Sequence, residues 1–439
     1  MQSGTLLPGR RETDFGAFAV STFLRPLHIM VAAPEFVFVG TLGVFLFRPP
    51  DLELHHLDRI AFVLLCAAVL VRVAASGDKI WPVSRLIWPM SGLLGLTLLE
   101  LLLQPFHAQT WSLAAAKFGV PYVMFFLAGV VFTTPRAIRC FEIFCLLVLG
   151  YLSFVSIAFL TGSEVLIFPR YILNPDLGIH LDRARGPFLQ AVANGLVLTL
   201  LGLIAFDALR ARRIGKWKGL LLLVPLPVAI LATMTRAVWI SFAFAIGTVV
   251  LQTKGAVRRA RLAVAAFILG LGAIVVCIPG LNTTFNTTVE ERVEERGPIE
   301  VRMAVYRAAS EMIAEHPLLG WGLNRMPVEV ASRMENYHLD AYWAHNTYLE
   351  ILVEQGIVGL VLYLWILVGL FRMKSTHGQE AEMEPTLLNS GFRRTWSLML
   401  VVYVFNGFFV VLNYQFVNAL IFSIAGMLAA QNRRFEVMQ

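Results

Sequence analysis

The chain has 439 residues, of which 57% are hydrophobic and 15% charged, and its formal net charge is +7. Soluble domains carry about a quarter charged residues, so this composition excludes a cytosolic enzyme, a secreted disulfide scaffold and a disordered adaptor. Repeated apolar runs of about 20 residues predict instead a polytopic membrane protein. In such a protein the basic excess indicates membrane orientation rather than nucleic-acid binding.

The apolar runs predict an all-α protein with about 12 transmembrane helices, forming a single integral-membrane domain over residues 1–439. Lys and Arg are concentrated in alternate connecting segments, which places both termini in the cytoplasm. The long loop 280–347, inserted between spans 9 and 10, is then periplasmic, and loops of this length tend to be functional. The predicted spans are 28–47, 60–76, 86–104, 112–133, 141–160, 187–208, 219–235, 237–252, 262–279, 348–371, 395–411 and 417–430.

Two arginine motifs precede predicted spans 6 and 8 on the outer side of the membrane. In LDRARGPF, residues 181–188, the proline suits a first helical position, so Arg183 and Arg185 lie just outside a helix N-terminus. The sequence leaves open which of the two is the key residue. Arg236 lies in a turn too tight for a true loop, at the start of span 8. The alternative for each is a snorkelling or interfacial arginine.

A histidine motif, WAHNTYLEILVEQGIVGL, precedes span 10. Thr347 and Glu350 have capping-box spacing, which predicts a helix start near Thr347 and places His345 just ahead of it. The helix dipole disfavours an imidazolium there and keeps the ring neutral, as a general base must be. The alternative is a packed or capping histidine. Because spans 6, 8 and 10 run in the same direction, their N-termini and the arginines together predict an anion site, in particular for a diphosphate.

The long loop contains a predicted helix in IEVRMAVYRAASEMIAE, residues 299–315. Arg302 falls in the middle of the apolar arc of this helix, which predicts that its side chain points into the protein toward a buried anion or carboxylate. An internal salt bridge to one of the loop glutamates is the alternative. In the following HPLLGWGLNRMP, Gly320 and Gly322 predict a tight backbone passage.

These motifs resemble the O-antigen ligase and polymerase superfamily of bacterial inner-membrane proteins. The resemblance departs from the family pattern after the first motif, where QAVAN provides only Asn194 and leaves the detail of the donor pocket open. The segments that carry the resemblance are RARG at 183–186, TRA at 235–237, VRMAVY…AEHPLLGWG at 301–322 and HNTYLEILVEQGIVGL at 345–360.

The resemblance implies a GT-C-like fold and a metal-independent glycosyltransferase that needs no cofactor. Its donor would be an undecaprenyl-diphosphate-linked glycan on the periplasmic side. The acceptor would be lipid A-core for a ligase or a second lipid-linked glycan for a polymerase, and the shared motifs leave these two open. Arg183 and Arg236 would hold the donor diphosphate, with Arg302 as a further candidate, and His345 would be the general base. No metal-ligand spacing lies in the outer loops, so the arginines would replace a divalent cation.

A transporter or flippase of lipid-linked oligosaccharide is the alternative function. Transporters place ionisable residues near the bilayer midplane, in broken helices. Here only Glu100 and Arg72 are assigned within spans, near the span ends, while the other charges gather at the outer boundary. This distribution favours the enzyme.

Overall fold

A computed structural model describes residues 32–48, 56–76, 84–178, 181–252, 297–334, 342–373, 386–389 and 391–438. Within these ranges the regular structure is helical, with no strand. Three short 3₁₀ turns, Glu164–Leu166, Arg170–Leu173 and Gly186–Phe188, accompany the α-helices. The helices are α1 (Pro34–Leu46), α2 (Leu57–Ser76), α3 (Ile87–Leu103), α4 (Ala108–Val131), α5 (Pro135–Leu160), α6 (Ala191–Arg210), α7 (Lys216–Leu223), α8 (Leu226–Ala232), α9 (Arg236–Gln252), α10 (Gly297–Glu315), α11 (Met326–Ser332), α12 (Thr347–Arg372), α13 (Phe392–Asn406) and α14 (Gln415–Met438).

Four of the described helices, α4, α5, α6 and α12, are long and apolar enough to cross a membrane. Shorter apolar helices accompany them, namely α1, α3 and the part Arg236–Val249 of α9. This is the architecture of a polytopic membrane protein, but it does not confirm twelve spans. The predicted span 262–279 lies outside the described residues. The predicted span 219–235 is divided into α7 and α8, because Pro225 and Pro227 interrupt the helical hydrogen bonds there.

Helix α6 forms the centre of the bundle, since 89% of its most apolar 18-residue window is buried inside the protein. Within the same core, α4 and α14 approach each other through glycines. A Cβ added to Gly129 would lie 3.2 Å from the carbonyl oxygen of Gly426, and one added to Gly426 would collide with the backbone of Phe125. Small residues permit such close backbone contact, which is a common way for helices to associate within a bilayer.

A buried charge cluster ties α5, α6 and α13 together near the C-terminal end of α6. The Arg213 side chain, 1% exposed, donates to Glu142 Oε1 at 2.7 Å and to Asp207 Oδ2 at 2.8 Å. Thr395 donates to the other oxygen of Asp207 at 3.3 Å. Charges inside a protein are stable only when paired in this way. The cluster therefore fixes the helices at one end of the bundle.

Candidate functional site

The two arginines of the 181–188 motif have different environments. Arg185 is fully buried and donates to the carbonyl of Ile172 at 2.8 and 3.0 Å, to that of Asn174 at 2.6 Å and to that of Leu177. Arg185 therefore folds the preceding loop against the motif. The side chain of Arg183 is 17% exposed, and its Nε atom lies 3.5 Å from Oδ2 of Asp182. Of the two, Arg183 is the one whose guanidinium a ligand can reach.

The folded loop is further held by Tyr171, whose hydroxyl donates to the carbonyls of Phe47 and Pro187 at 3.2 and 3.1 Å. Burial, and secondarily the neighbouring Tyr151, raises the pKa of the Tyr171 phenol above its ordinary value, so it remains a donor. Asn194 serves the same fold, donating to the carbonyl of Ala184 at 2.8 Å. Asn194, the one asparagine that the departing stretch retains, thus supports the backbone of the arginine motif.

Arg236 is the first residue of α9 and is exposed. Only three residues separate it from the end of α8, as the sequence predicted for a tight turn, and Met234 within this turn has a left-handed φ of 47°. The amide of Ala184 donates to the carbonyl of Ala232 at 2.9 Å. This hydrogen bond joins the Arg183 motif to the turn that presents Arg236.

His345 is partly exposed and precedes α12, which begins at Thr347 as predicted. The predicted capping box is wrong, however. Asn346 caps the helix, its side-chain oxygen accepting from the amides of Tyr348 and Leu349 at 3.0 and 3.2 Å. The Thr347 hydroxyl is already engaged with the chain after α13, and the Glu350 carboxylate accepts from a buried lysine instead.

Contacts along the helices bring the N-terminal ends of α6, α9 and α12 to the same end of the bundle. Gly195 of α6 packs against Val238 of α9, where a Cβ would collide. The C-terminal end of α13 contacts both α9 and α12. The Asn406 side chain donates to Ser241 of α9 at 3.0 Å. The carbonyl of the neighbouring Gly407 accepts from the amide of Thr347, the first residue of α12, at 2.8 Å. The segments that carry Arg183, Arg236 and His345 therefore lie at the same end of three neighbouring helices.

The structure contradicts the predicted orientation of Arg302. This residue lies on α10 with its side chain exposed, and Met303 beside it is 61% exposed. The helix buries a different stripe, which packs against α11, α12 and Ala344, the residue before His345. The helical wheel placed the apolar arc wrongly because it could not show which face meets the rest of the protein. The buried residues of the stripe are Val305, Ala308, Ala309 and Met312.

A non-helical part of the long loop, residues 316–324, lies against a break in α12. At Gly356 the helix has φ 64° and ψ −166°, a conformation open essentially to glycine alone. The loop backbone satisfies the interrupted helix with four hydrogen bonds. These are Trp321 N to Val353 O at 3.0 Å, Gly322 N to Glu354 O at 2.8 Å, Ile357 N to Pro317 O at 2.9 Å and Val358 N to Leu318 O at 3.3 Å.

Gly320 and Gly322 have φ values of 71° and 89°, which confirms the predicted tight passage. A Cβ on Gly320 would collide with the backbone of Glu354. The loop segment and the helix therefore touch backbone to backbone, and they do so only because glycines stand on both sides. This contact holds the loop helix α10 and the helix that follows His345 in a fixed relation.

Residues 220–364, about a third of the chain, match the family described as O-antigen ligase. This match supports the O-antigen ligase and polymerase superfamily for that part of the chain. The comparison with curated proteins gave no match. Members of this family are glycosyltransferase-like ligases and polymerases, so the match, together with the apolar helices, supports a bacterial membrane enzyme of this broad type.

The matched range contains Arg236, Arg302, His345 and the helix break at Gly356, while Arg183 precedes it. Among the residues that the structure describes, no group of three or more His, Cys, Asp or Glu side chains could hold a metal ion.

The expectation that only Glu100 and Arg72 lie within spans is wrong. Lys117, which lies in the predicted span 112–133, is buried within α4, and its ammonium group donates to Glu350 Oε1 at 2.6 Å. Glu354 is also buried, and its Oε2 atom lies 3.5 Å from Nζ of Lys117. The sequence contained a signal for this pair: a lysine inside an apolar run needs a partner, and two glutamates four residues apart face one side of α12.

Proposed function

We propose that this chain is a glycosyltransferase that moves a glycan from an undecaprenyl-diphosphate-linked donor to an acceptor hydroxyl on the periplasmic side of the bacterial inner membrane. The observation that carries the proposal is the common end of α6, α9 and α12. Three positive helix N-termini and the arginines beside them form an electrostatic environment suited to a diphosphate. His345 provides the one candidate base in the same motif set.

In the proposed reaction, the acceptor oxygen forms a bond to the anomeric carbon while the bond from that carbon to the diphosphate oxygen breaks. His345 takes the proton of the acceptor hydroxyl, which contributes about 10²–10⁴-fold to such reactions. Arg183 and Arg236 stabilise the negative charge that develops on the departing undecaprenyl diphosphate. Guanidinium groups pair two phosphate oxygens at once, so the proposed transfer needs no divalent cation. Arg302, exposed on α10, is proposed as an additional contact to the donor.

Deletion of the gene, followed by profiles of lipopolysaccharide and exopolysaccharide, tests the proposal. If the chain is a ligase, the deletion strain should lose O-antigen capping and accumulate lipid-linked polymer. If it is a polymerase, the strain should accumulate single lipid-linked repeats. The wild-type chain supplied from a plasmid should restore the profile. Unchanged profiles in the deletion strain would contradict the proposed function. Lipid-linked glycan trapped on the cytoplasmic face would identify a flippase instead.

Two substitutions separate donor binding from chemistry. Arg236→Lys keeps the charge but loses the planar fork, so it should weaken donor binding as well as transfer. His345→Ala should leave donor binding nearly unchanged while transfer falls by about 10²–10⁴-fold. The assay uses purified protein in nanodiscs and lipid-linked glycan extracted from the deletion strain. If His345→Ala lost donor binding as severely as Arg236→Lys while bound donor still reacted, the histidine would be a binding residue.

A further inference from the structure

A wide helical turn places one lysine inside the protein. Residues Ala115–Gly119 form a π-helical turn within α4, and such turns occur frequently at functional sites. Lys117 in this turn is 6% exposed and lies between Glu350 and Glu354 of α12. The proposed mechanism does not use this buried group. Its two partners nevertheless belong to the first two turns of the helix that follows His345.

Each of the two carboxylates connects the lysine to a different part of the candidate site. Glu350 lies in the first turn of α12, where its amide donates to the carbonyl of the capping Asn346 at 3.0 Å. Glu354 reaches the long loop, since its Oε1 atom accepts from the amide of Asn324 at 2.7 Å. Lys117 thus joins α4, the start of α12 and the loop segment 316–324.

The residue ahead of this helix start has an unusual backbone. His345 has φ 47°, in the left-handed region, which is a strained conformation for a non-glycine residue. Such a conformation persists only when the surrounding structure determines it. The Asn346 cap fixes the helix start from one side, and the Lys117–Glu350 ion pair fixes its first turn from the other. A buried pair of this kind is rigid, because separating it leaves an unpaired charge in the interior.

We propose that Lys117 is a positioning residue for the transfer reaction. Through Glu350 and Glu354 it holds the start of α12, and with it His345, in the orientation required for proton removal from the acceptor. The proposal rests on the proposed function, in which His345 is the base. Lys117 itself touches no substrate and transfers no proton. A displacement of about 1 Å at a reacting group costs about 10²-fold in rate, so a small shift of the helix start is sufficient.

The test removes the ammonium group without leaving bare charges. In the triple variant Lys117→Met/Glu350→Gln/Glu354→Gln all three groups are uncharged, and the amide introduced by Glu354→Gln keeps an oxygen that can accept from the Asn324 backbone. The variant should accumulate in membranes and bind donor at the wild-type stoichiometry, while turnover per bound donor falls by about 10–100-fold. The donor is the lipid-linked glycan extracted from deletion-strain membranes. Wild-type turnover in the triple variant would overturn the proposal.

A matched control neutralises the other buried cluster, at the opposite end of the bundle. Arg213→Met/Glu142→Gln/Asp207→Asn removes a comparable set of dry ion pairs. Turnover per bound donor should remain within about twofold of wild type, because this cluster is far along α6 from the candidate site. A loss of turnover in the control equal to that in the Lys117 triple variant would show a general effect of buried charge and overturn the assignment.

A second variant covers the case in which the triple variant does not fold. Glu350→Gln leaves Glu354 as counter-ion to Lys117, so the interior keeps a balanced pair, but the 2.6 Å contact at the first turn is weakened. Turnover per bound donor should fall about tenfold with donor capacity unchanged. A purely structural role would instead reduce capacity and transfer in parallel. If the wild-type chain itself showed no transfer, the proposed function would fail; if only the variants equalled wild type, this inference alone would fail.

Discussion

Replacement of Gly356 by alanine tests how strongly the loop segment 316–324 depends on the break in α12. The glycine has φ 64° and ψ −166°, and a Cβ there would lie against the carbonyl group of Leu318. The atoms that this Cβ would meet belong to the backbone, so they cannot move aside as the end of a flexible side chain could. Alanine at this position therefore forces both a strained backbone and separation of the loop from the helix.

The expected loss of unfolding free energy is the sum of these two effects. The strained conformation costs about 1–3 kcal/mol for a residue with a Cβ. Loss of the bonds from the amides of Ile357 and Val358 to the loop carbonyls removes about 1 kcal/mol each. The total is about 3–5 kcal/mol. Unfolding entropies of about 2 cal/mol/K per residue make 1 kcal/mol equivalent to about 1 °C in a chain of this length, so Tm should fall by about 3–5 °C.

The assay is thermal unfolding of the purified protein in detergent, followed by size-exclusion chromatography of the fraction that stays folded. Gly95→Ala in α3 is the matched control, because a Cβ there meets no atom within 4 Å. An exposed helical glycine replaced by alanine should change stability little or raise it by up to about 1 kcal/mol. Equal Tm values for Gly356→Ala and Gly95→Ala would refute the reasoning.

Four further outcomes are expected. Arg185→Met should sharply reduce the amount of folded protein on size exclusion, because three backbone carbonyls lose their donor, whereas Arg183→Gln should fold normally and lower polysaccharide output. Asn346→Ala should cost about 1 kcal/mol and accelerate hydrogen exchange in the first turn of α12. Arg302→Gln should leave Tm unchanged, since the side chain is exposed, and weaken donor binding. Transfer in isolated membranes should survive EDTA; activity restored only by added Mg²⁺ would contradict the proposed role of the arginines.

The sequence predicted two of the three helix starts at the candidate site. The beginnings of α9 and α12 were predicted from a tight turn before Arg236 and from the Thr347–Glu350 spacing, and the structure has both starts. The start predicted for α6 was wrong, because Pro187 lies in a 3₁₀ turn and the helix begins at Ala191. The type of cap was wrong, because Asn346 caps α12 and the Thr347 hydroxyl bonds to the chain after α13 instead. Those partners are more than 60 positions away from Thr347, and local spacing does not report them.

The orientation of α10 and the buried charges could not be predicted in the same way. Which stripe of α10 is buried depends on how α11 and α12 pack against it, and neither helix is part of the pattern within α10 itself. The partners of Lys117 are more than 200 residues away from it along the chain. Periodicity reports the pattern within one helix, and it contains no information about which distant element meets that helix.

The pairing of the loop segment 316–324 with α12 sets an order for the assembly of the protein. The segment is synthesised before the helix, and its backbone partners at Val353, Glu354 and Ile357 have not yet folded into a helix when it leaves the ribosome. The loop can therefore reach its final position only after the helix break has been made and inserted. The same dependence limits exchange between related chains: a chimaera that receives a foreign loop without the matching half of α12 joins two surfaces shaped for other partners. The loop segment 316–324 and the helix break at Gly356 can therefore be transplanted into a related chain only together.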